Sequence, residues 1–520
     1  MSRSTSLLAL TAVCLASVGG TPARAQWSST AAANLVIASR PGEQVQPKIA
    51  VTSDGGCYVS WFDNELGGYD VRLQRLDAAG VPQWGSNGLL LADLTFSSTQ
   101  DYGIGVDTEG WGLVAYRDTR SGGIQIGANR VSPSGVPAWG TGLVLTNTSD
   151  FVGQEKIVGT SDGNIVVAWF QLNAVQVRKL SPEGTVLWSR SLQGPGGLSV
   201  AIGDLQASDA PGAEGQVVVS MIRQGSFSTP RHLYAQKLDA DGNPLWGASP
   251  ITIYNGGSLQ FGNFPPFTSD GSGGALFAWY ATTQQSFVQR VLADGTQQYP
   301  ANGIAVATDP GRLRFDPAAI LDPASGDIYC FWNERNSSQS QQALYGQRFV
   351  GSTRAWGDGG LVLVPIGAND IQSIRCLPRT GGATAMWVQG GPNGQQIFAA
   401  ARNADASQAW GSNLTVSSTP STKSRIDAEV ISSGTILSVW QDGATGAADI
   451  QGQNIRSDGT LGVEAIPGDL NNDGEVNGAD LSILLSAWGA CPPKGDCPAD
   501  LNDDGEVNGA DLAILLSNWG

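Results

Sequence analysis

The chain repeats itself, and the repeat limits what it can fold into. An anchor residue, Trp61, recurs as Tyr116, Trp169, Met221, Trp279, Trp332, Trp387 and Trp440, at steps of 55, 53, 52, 58, 53, 55 and 53 residues. A second register follows L-D-x-x-G-x-x-x-W-G and places Trp84, Trp139, Trp188, Trp246, Tyr299, Trp356 and Trp410 in the same phase. Within the first unit, four short β-like runs, Lys48–Thr52, Cys57–Phe62, Asp70–Leu76 and Leu89–Ala92, are separated by Gly- and Asp-rich turns. Helical periodicity is absent across this region. Four strands per unit, repeated, describe the blades of a β-propeller, because one such sheet cannot bury both its faces alone.

The strand count also predicts how the ring closes. First, second and third strands occur eight times, while the fourth occurs seven times after residue 48. Gln26-Trp27 followed by Leu35-Val36-Ile37-Ala38 matches Trp84 followed by Leu89-Leu90-Leu91-Ala92. The N-terminal segment is therefore expected to supply the outer strand of the last blade and to remove a free sheet edge. Eight blades over residues 26–465 is the reading, with seven plus an irregular one as the alternative. The whole is all-β up to that point.

Composition narrows the function. The formal charge of -17 argues against nucleic acid and anionic membranes as partners. A single histidine, His232, excludes His-rich metal sites; it starts a third strand, where an exposed structural role is expected. Residues 1–25 read as a secretory signal, with Arg3, an apolar stretch from Leu7 to Val18, and an Ala23-Arg24-Ala25 cleavage site. No stretch is long and apolar enough to span a bilayer. Export implies an oxidising compartment, in which Cys491 and Cys497 are the expected disulfide. Cys57, Cys330 and Cys376 lie in apolar strand patterns and are expected as buried thiols whose pairing stays open. Of the tryptophans only Trp111 falls outside both registers and the segments at the two ends, which makes it the candidate for an exposed aromatic.

From residue 466 the chain changes character. Asp469-Leu470-Asn471-Asn472-Asp473-Gly474-Glu475-Val476-Asn477-Gly478-Ala479-Asp480 precedes one amphipathic stretch, and Asp500 to Asp511 repeats the pattern before a second. Calcium takes six to eight hard oxygens, and a 12-residue loop winds them around the ion. Asp469, Asn471 and Asp473, then Asp500, Asn502 and Asp504, occupy positions 1, 3 and 5; Glu475 and Glu506 ligate through their carbonyls. Asp480 and Asp511 close each loop from the first helical turn. Two ions are expected, one per loop. Ten acidic residues against one lysine in 466–520 would resist compaction without them.

Paired loops with Asp at position 12, each running into one helix, resemble a type I dockerin, a small EF-hand-like domain. That resemblance implies a cohesin-like or cell-surface protein partner for residues 468–520. Gly478-Ala479 and Gly509-Ala510 stand where such domains often carry hydroxyl-bearing contact residues. The L-D-x-x-G-x-x-x-W-G unit is similar to repeats of large secreted bacterial propellers, a likeness that implies no particular activity.

Catalysis has thin support. Two residues beyond the anchor stand Asp63, Asp118, Gln171, Ala281, Glu334, Gln389 and Asp442. Asp63, Asp118, Glu334 and Asp442 are the carboxylates a glycosidase-like or lyase-like reaction could draw on. They follow the repeat rather than break it, which favours a turn-capping role. The expectation is a secreted propeller binding a glycan or protein ligand; a polysaccharide-degrading enzyme and a surface structural protein are the alternatives.

Overall fold

The computed structural model describes residues 26–520 apart from 209, 392–393, 464–465, 472–475 and 493–496. The signal reading therefore lies outside the described residues. The chain divides at Val463/Glu464 into two compact units.

The first unit is an eight-bladed propeller. Seven blades are four-stranded antiparallel sheets, and the sixth adds the two-residue strand Thr353–Arg354. Blade 1 comprises Gln44–Val51, Cys57–Asp63, Asp70–Leu76 and Leu89–Ala92, paired in that order. Blade 8 takes Lys423–Val430, Ile436–Asp442 and Asp449–Ile455 from one end of the unit and Leu35–Ala38 from the other. The closing pairs are Leu35 with Gly452, Val36 with Gln451 and Ala38 with Ile450. Across the same seam, Asp427 and Glu429 of blade 8 accept hydrogen bonds from the backbone N–H groups of Ile49 and Val51, at 3.1 and 3.0 Å.

The core lies between blades, not within one. One cluster joins Leu113, Ala115 and Ile126 of blade 2 to Ile157, Val167 and Trp169 of blade 3, and another seats Trp27, Leu35 and Ile37 against Val59, Trp61 and Val439. Because each second strand is covered on both sides, all seven residues of Cys57–Asp63 and of Gly112–Asp118 are buried. Trp61, Tyr116, Met221, Trp279, Trp332 and Trp440 are fully buried, and Trp169 and Trp387 nearly so. Burial pushes the thiols of Cys57, Cys330 and Cys376 well above the usual range, and all three are free.

The second register turns out to be a docking device. The indole N–H of Trp84, Trp139, Trp188, Trp246, Trp356 and Trp410 each donates to a backbone carbonyl in the next blade, at 2.7–3.1 Å. Tyr299 does the same through its hydroxyl, at 2.9 Å from Gly351. The ring lies over the glycine of the neighbour's L-D-x-x-G turn: a Cβ on Gly242, whose φ is +80°, would sit 2.8 Å from Trp188. The consensus is thus self-complementary in most blades, its W covering the next unit's G, and Trp27 covers Gly80 in the same way across the closing seam; Trp356 faces a turn with Ala406 at the glycine position, and nothing covers Gly351 beside Tyr299.

Innermost strands carry a repeated irregularity that the sequence does not announce. Gln46, Gln154, Asp316, Ser373 and Arg425 have φ between 49° and 58°, each at a register shift in the first strand of its blade. Left-handed backbone in residues other than glycine is costly and tends to re-aim side chains at functional surfaces.

Candidate functional site

The C-terminal unit is built from two loop–helix copies. Asn477 caps α1 (Gly478–Ser486) and Asn508 caps α2 (Gly509–Ser517), each in a capping box completed by Asp480 or Asp511. Asp480 is fully buried and accepts from the N–H groups of Leu470, Asn471 and Asn477, at 2.8, 3.1 and 2.9 Å. Asp511 repeats this with Leu501, Asn502 and Asn508, at 2.7, 3.2 and 2.8 Å. Desolvation opposes ionisation of Asp511, but these three donors overcome it and hold its carboxyl below the usual range.

The second loop can be followed throughout. Asp500 accepts from the N–H groups of Asp504 and Gly505, at 3.1 and 2.8 Å, and Asp504 from that of Glu506, at 3.0 Å. Left-handed steps at Asp503 and Gly505 give the loop its sharp winding. In the first loop Asp469 and Asn471 are described, whereas Asp473 and Glu475 lie outside the described residues. Every ligand atom the second loop offers is an oxygen, and backbone N–H groups orient the closing carboxylate. Such a set fits calcium: Asp500, Asn502, Asp504, Asp511 and the Glu506 carbonyl would hold one ion, which on binding neutralises the loop's charge.

Each loop also braces the other copy. Gly489, after α1, pairs with Val507, and the N–H of Gly520, after α2, donates to Val476 at 3.1 Å. Val476, Leu484, Ala499, Val507 and Leu515 form the small core. Cys491 and Cys497 are joined in a disulfide. Their sulfurs lie near Asp500, but oxidised sulfurs offer no thiolate, so this grouping is not a metal site. On the outer faces, the copies leave Leu485 and Trp488, then Leu516 and Trp519, each about half exposed.

On the propeller, the recurring carboxylates are all buried and occupied. The indole N–H of Trp332 donates to Glu334 at 2.8 Å and that of Trp440 to Asp442 at 2.9 Å; Trp169 and Trp387 reach Gln171 and Gln389, at 3.3 and 3.2 Å. In these four blades an acceptor two residues along the strand serves the anchor's N–H. The indole N–H groups of Trp279, followed by Ala281, and of Trp61, despite Asp63 two residues on, have no hydrogen-bond partner. Arg40 and Arg72 flank Asp63, Arg120 pairs with Asp118, Arg314 with Glu334 and Lys423 with Asp442. Desolvation raises Asp63 and Glu334 against these partners.

First strands enclose the central channel. One part, about 610 Å³, is charged, lined by Lys48, Asp101, Lys156, Asp204, Asp427 and Glu429 among others. Another, about 550 Å³, is lined by blades 5 to 8 and is richer in apolar groups such as Phe267, Ala318 and Ile374. Lys48 pairs with Asp101 at 2.6 Å, and Lys156 with its other oxygen.

Two readings of single residues are corrected. His232 is half-buried rather than exposed, its Nδ1 3.3 Å from the Tyr234 hydroxyl. Trp111 is half-buried beneath the Arg130 guanidinium, 4.0 Å from its ring centre, so it is not the exposed aromatic. Exposed rings stand instead on loops of blades 3 to 5: Phe227 at 90%, Phe261 at 60% and Phe151 at 53%.

Comparison with known proteins supports the division of the chain. Residues 467–518 match the dockerin type I domain, and domains of this kind bind cohesins and calcium. Comparison with curated proteins returns no match. Among solved structures, the Dos1 propeller is 12% identical over 79% of this chain and 93% of its own, with a TM-score of 0.46. Polysaccharide lyase Uly1 is 11% identical, covering 86% and 94%, TM-score 0.41. The Penicillium chrysogenum alpha-L-arabinanase complexed with arabinobiose is 10% identical, covering 83% and 100%, TM-score 0.38. None of these three likenesses bears on activity. Among the described residues, no helix is long and apolar enough to cross a membrane.

Proposed function

We propose that the chain is an extracellular ligand-binding propeller, held on a cohesin-bearing or cell-surface partner by residues 468–520 with two calcium ions. The observation that carries this reading is the doubled apolar pair, Leu485 with Trp488 and Leu516 with Trp519, left uncovered at and just beyond the C-terminal ends of helices whose other faces form the core. Surface tryptophan and leucine at matched places in two copies supply the rigid anchors a protein interface uses. Cβ atoms on Gly478 and Gly509 would meet open space, so the first helical turns present little side chain and leave recognition to those four residues. Retention of the full chain on an immobilised type I cohesin tests it. The chain binds in calcium, elutes in EDTA, and fails to bind when Leu485, Trp488, Leu516 and Trp519 are all changed to Ala. Binding that survives both treatments sinks the reading.

One feature favours a second reading, a polysaccharide-cleaving enzyme. Asp101 and Glu155, on adjacent first-strand segments, are pushed apart in acidity. Desolvation raises Asp101, but Lys48 and Lys156 outweigh it and hold the carboxyl well below the usual range; desolvation carries Glu155 up to about 7. A carboxylate and a carboxylic acid side by side are what glycoside hydrolysis employs. Glu155 is buried and forms no part of the open channel wall, which ranks this reading second. Reducing-end release abolished by Glu155→Gln, with cohesin binding intact, would reverse the order.

A further inference from the structure

The repeat is least regular between blades 4 and 5. Met221 replaces an aromatic anchor there, the step to Trp279 is the longest in the chain, and the first strand of blade 5 shrinks to Phe267–Ser269. Loops at this break and from blades 2 and 3 surround a cleft of about 370 Å³. Its walls are three phenyl rings, Phe151, Phe170 and Phe264, and three amides, Gln100, Gln154 and Gln224, with Ala201 and Asp101 completing it.

We infer that this cleft binds a segment of neutral polysaccharide. The inference rests on the propeller being a ligand-binding body and is independent of how the chain is docked. Three observations point to neutral sugar. First, the amides are uncommitted. The Gln100 Oε1 is buried with no partner, among the described residues no side-chain bond holds Gln154, and Gln224 makes one long side-chain bond of 3.3 Å to Ile222. Sugar hydroxyls, each both donor and acceptor, suit a set of loosely held amides. Second, one phenyl ring is presented to solvent beside two half-buried ones, Phe170 and Phe264, which pack against the neighbouring cores. Phe151 is 53% exposed and meets Phe170 at 6.0 Å with a 54° tilt, leaving ring faces for the C–H side of a pyranose or furanose. Ring faces are electron-rich and attract such C–H edges. Third, among the described residues no cation lines the cleft. Its one charged side chain, Asp101, is neutralised by Lys48 and Lys156, so nothing there favours a uronate over an uncharged residue.

Backbone geometry sets this chemistry in place. Gln154 stands at a left-handed bulge with φ 58°, where the register shifts between Gly153 and Lys156. A Cβ on Gly153 would lie 3.0 Å from the Gln100 Oε1, so glycine makes the room that this acceptor occupies. The two loops that contribute Gln224 and Phe264 also carry Phe227 and Phe261, stacked at 4.9 Å and 24°, with Arg231 4.4 Å from the Phe261 ring. A second aromatic surface thus stands on the same loops, which suits a chain of several sugars better than a single one.

Affinity electrophoresis of the full chain in calcium tests the inference, with arabinan, galactomannan, xyloglucan and dextran as neutral probes and polygalacturonate as the acidic one. At least one neutral polymer retards the wild type. Phe151→Ala and Phe264→Ala each weaken that binding about tenfold, the effect of losing one stacking ring. Gln154→Gly also weakens it while leaving the melting temperature unchanged or higher, because glycine accepts the left-handed backbone. Cohesin retention of all three variants stays at the wild-type level, so a failure here is separable from a failure of docking. Retardation by polygalacturonate alone, by none of the five polymers, or by a neutral polymer that binds the variants equally well would overturn it.

Discussion

Both units of this chain are made by duplication, but they are held together by different means. In the propeller each repeat is completed by the next. An apolar sheet face and a W-over-G contact recur around the ring, and every core cluster draws on adjacent blades. The C-terminal unit has two copies and a core of five buried residues, with acidic loops around it. A ring of eight sheets buries enough apolar surface to order itself, whereas a 55-residue acidic unit must borrow the missing stability. In the proposed reading, calcium would stand in for the larger core that this unit lacks.

The largest expected contrast comes from chelation. EDTA unfolds the C-terminal unit and leaves the propeller standing, because metal binding and folding are one equilibrium in such small domains. Hydrogen exchange reads both at once: amides of Leu484 and Leu515 lose protection while those of Val59 and Val439 keep theirs. Equal protection in both units would end the contrast.

A glycine in each unit gives the next test. Gly242→Ala forces a side chain into left-handed backbone and against the Trp188 ring. It is expected to cost the propeller at least about 2 kcal/mol, combining the left-handed penalty with overpacking. Gly478→Ala meets open space at the start of α1 and is expected to leave its unit unchanged or up to about 1 kcal/mol more stable. Denaturant melts followed separately for the two units measure both values. A harmless Gly242→Ala would mean that the W-over-G contact is not what joins the blades.

The smallest effect is one of pH. Desolvation pushes Glu155 and Glu429 up to about 7, from 4.5 when unfolded. A carboxyl raised in the folded state contributes stability that is complete below about 4.5 and is lost as pH climbs through about 7. The propeller should therefore melt lower at pH 8 than at pH 5, with each kcal/mol lost worth roughly 2–4 °C or less in a unit of this size. Glu155→Gln with Glu429→Gln flattens that slope; an undiminished slope in the double variant would remove these two groups as its cause.

The ring, its blade count and its closing strand were legible because each depends on periodicity, which survives in one sequence. The dockerin-type loops were legible because their oxygen-bearing residues recur at fixed positions in two copies. What the anchors bond to was not. That an anchor's indole N–H bonds an acceptor two residues on accounts for Gln171 and Gln389 as well as for Glu334 and Asp442. Nor were the bulges at Gln46, Gln154 and Asp316 visible, since none sits on the glycine that usually marks left-handed backbone. The cleft had one trace in the sequence, the long step between Met221 and Trp279, but its rings and amides come from strands and loops of neighbouring blades that only the folded ring brings together.

Closure by the N-terminal strand has a mechanical consequence. When the C-terminal unit is held and a bound polymer pulls on the propeller, tension enters the ring through the strand Asp449–Ile455. That strand lies between Ile436–Asp442 and Leu35–Ala38, so it cannot be peeled away like an edge. To extract it, a load must break the ladders on both sides at once, and residues 35–38 act as a clamp at the point where the tether leaves the ring.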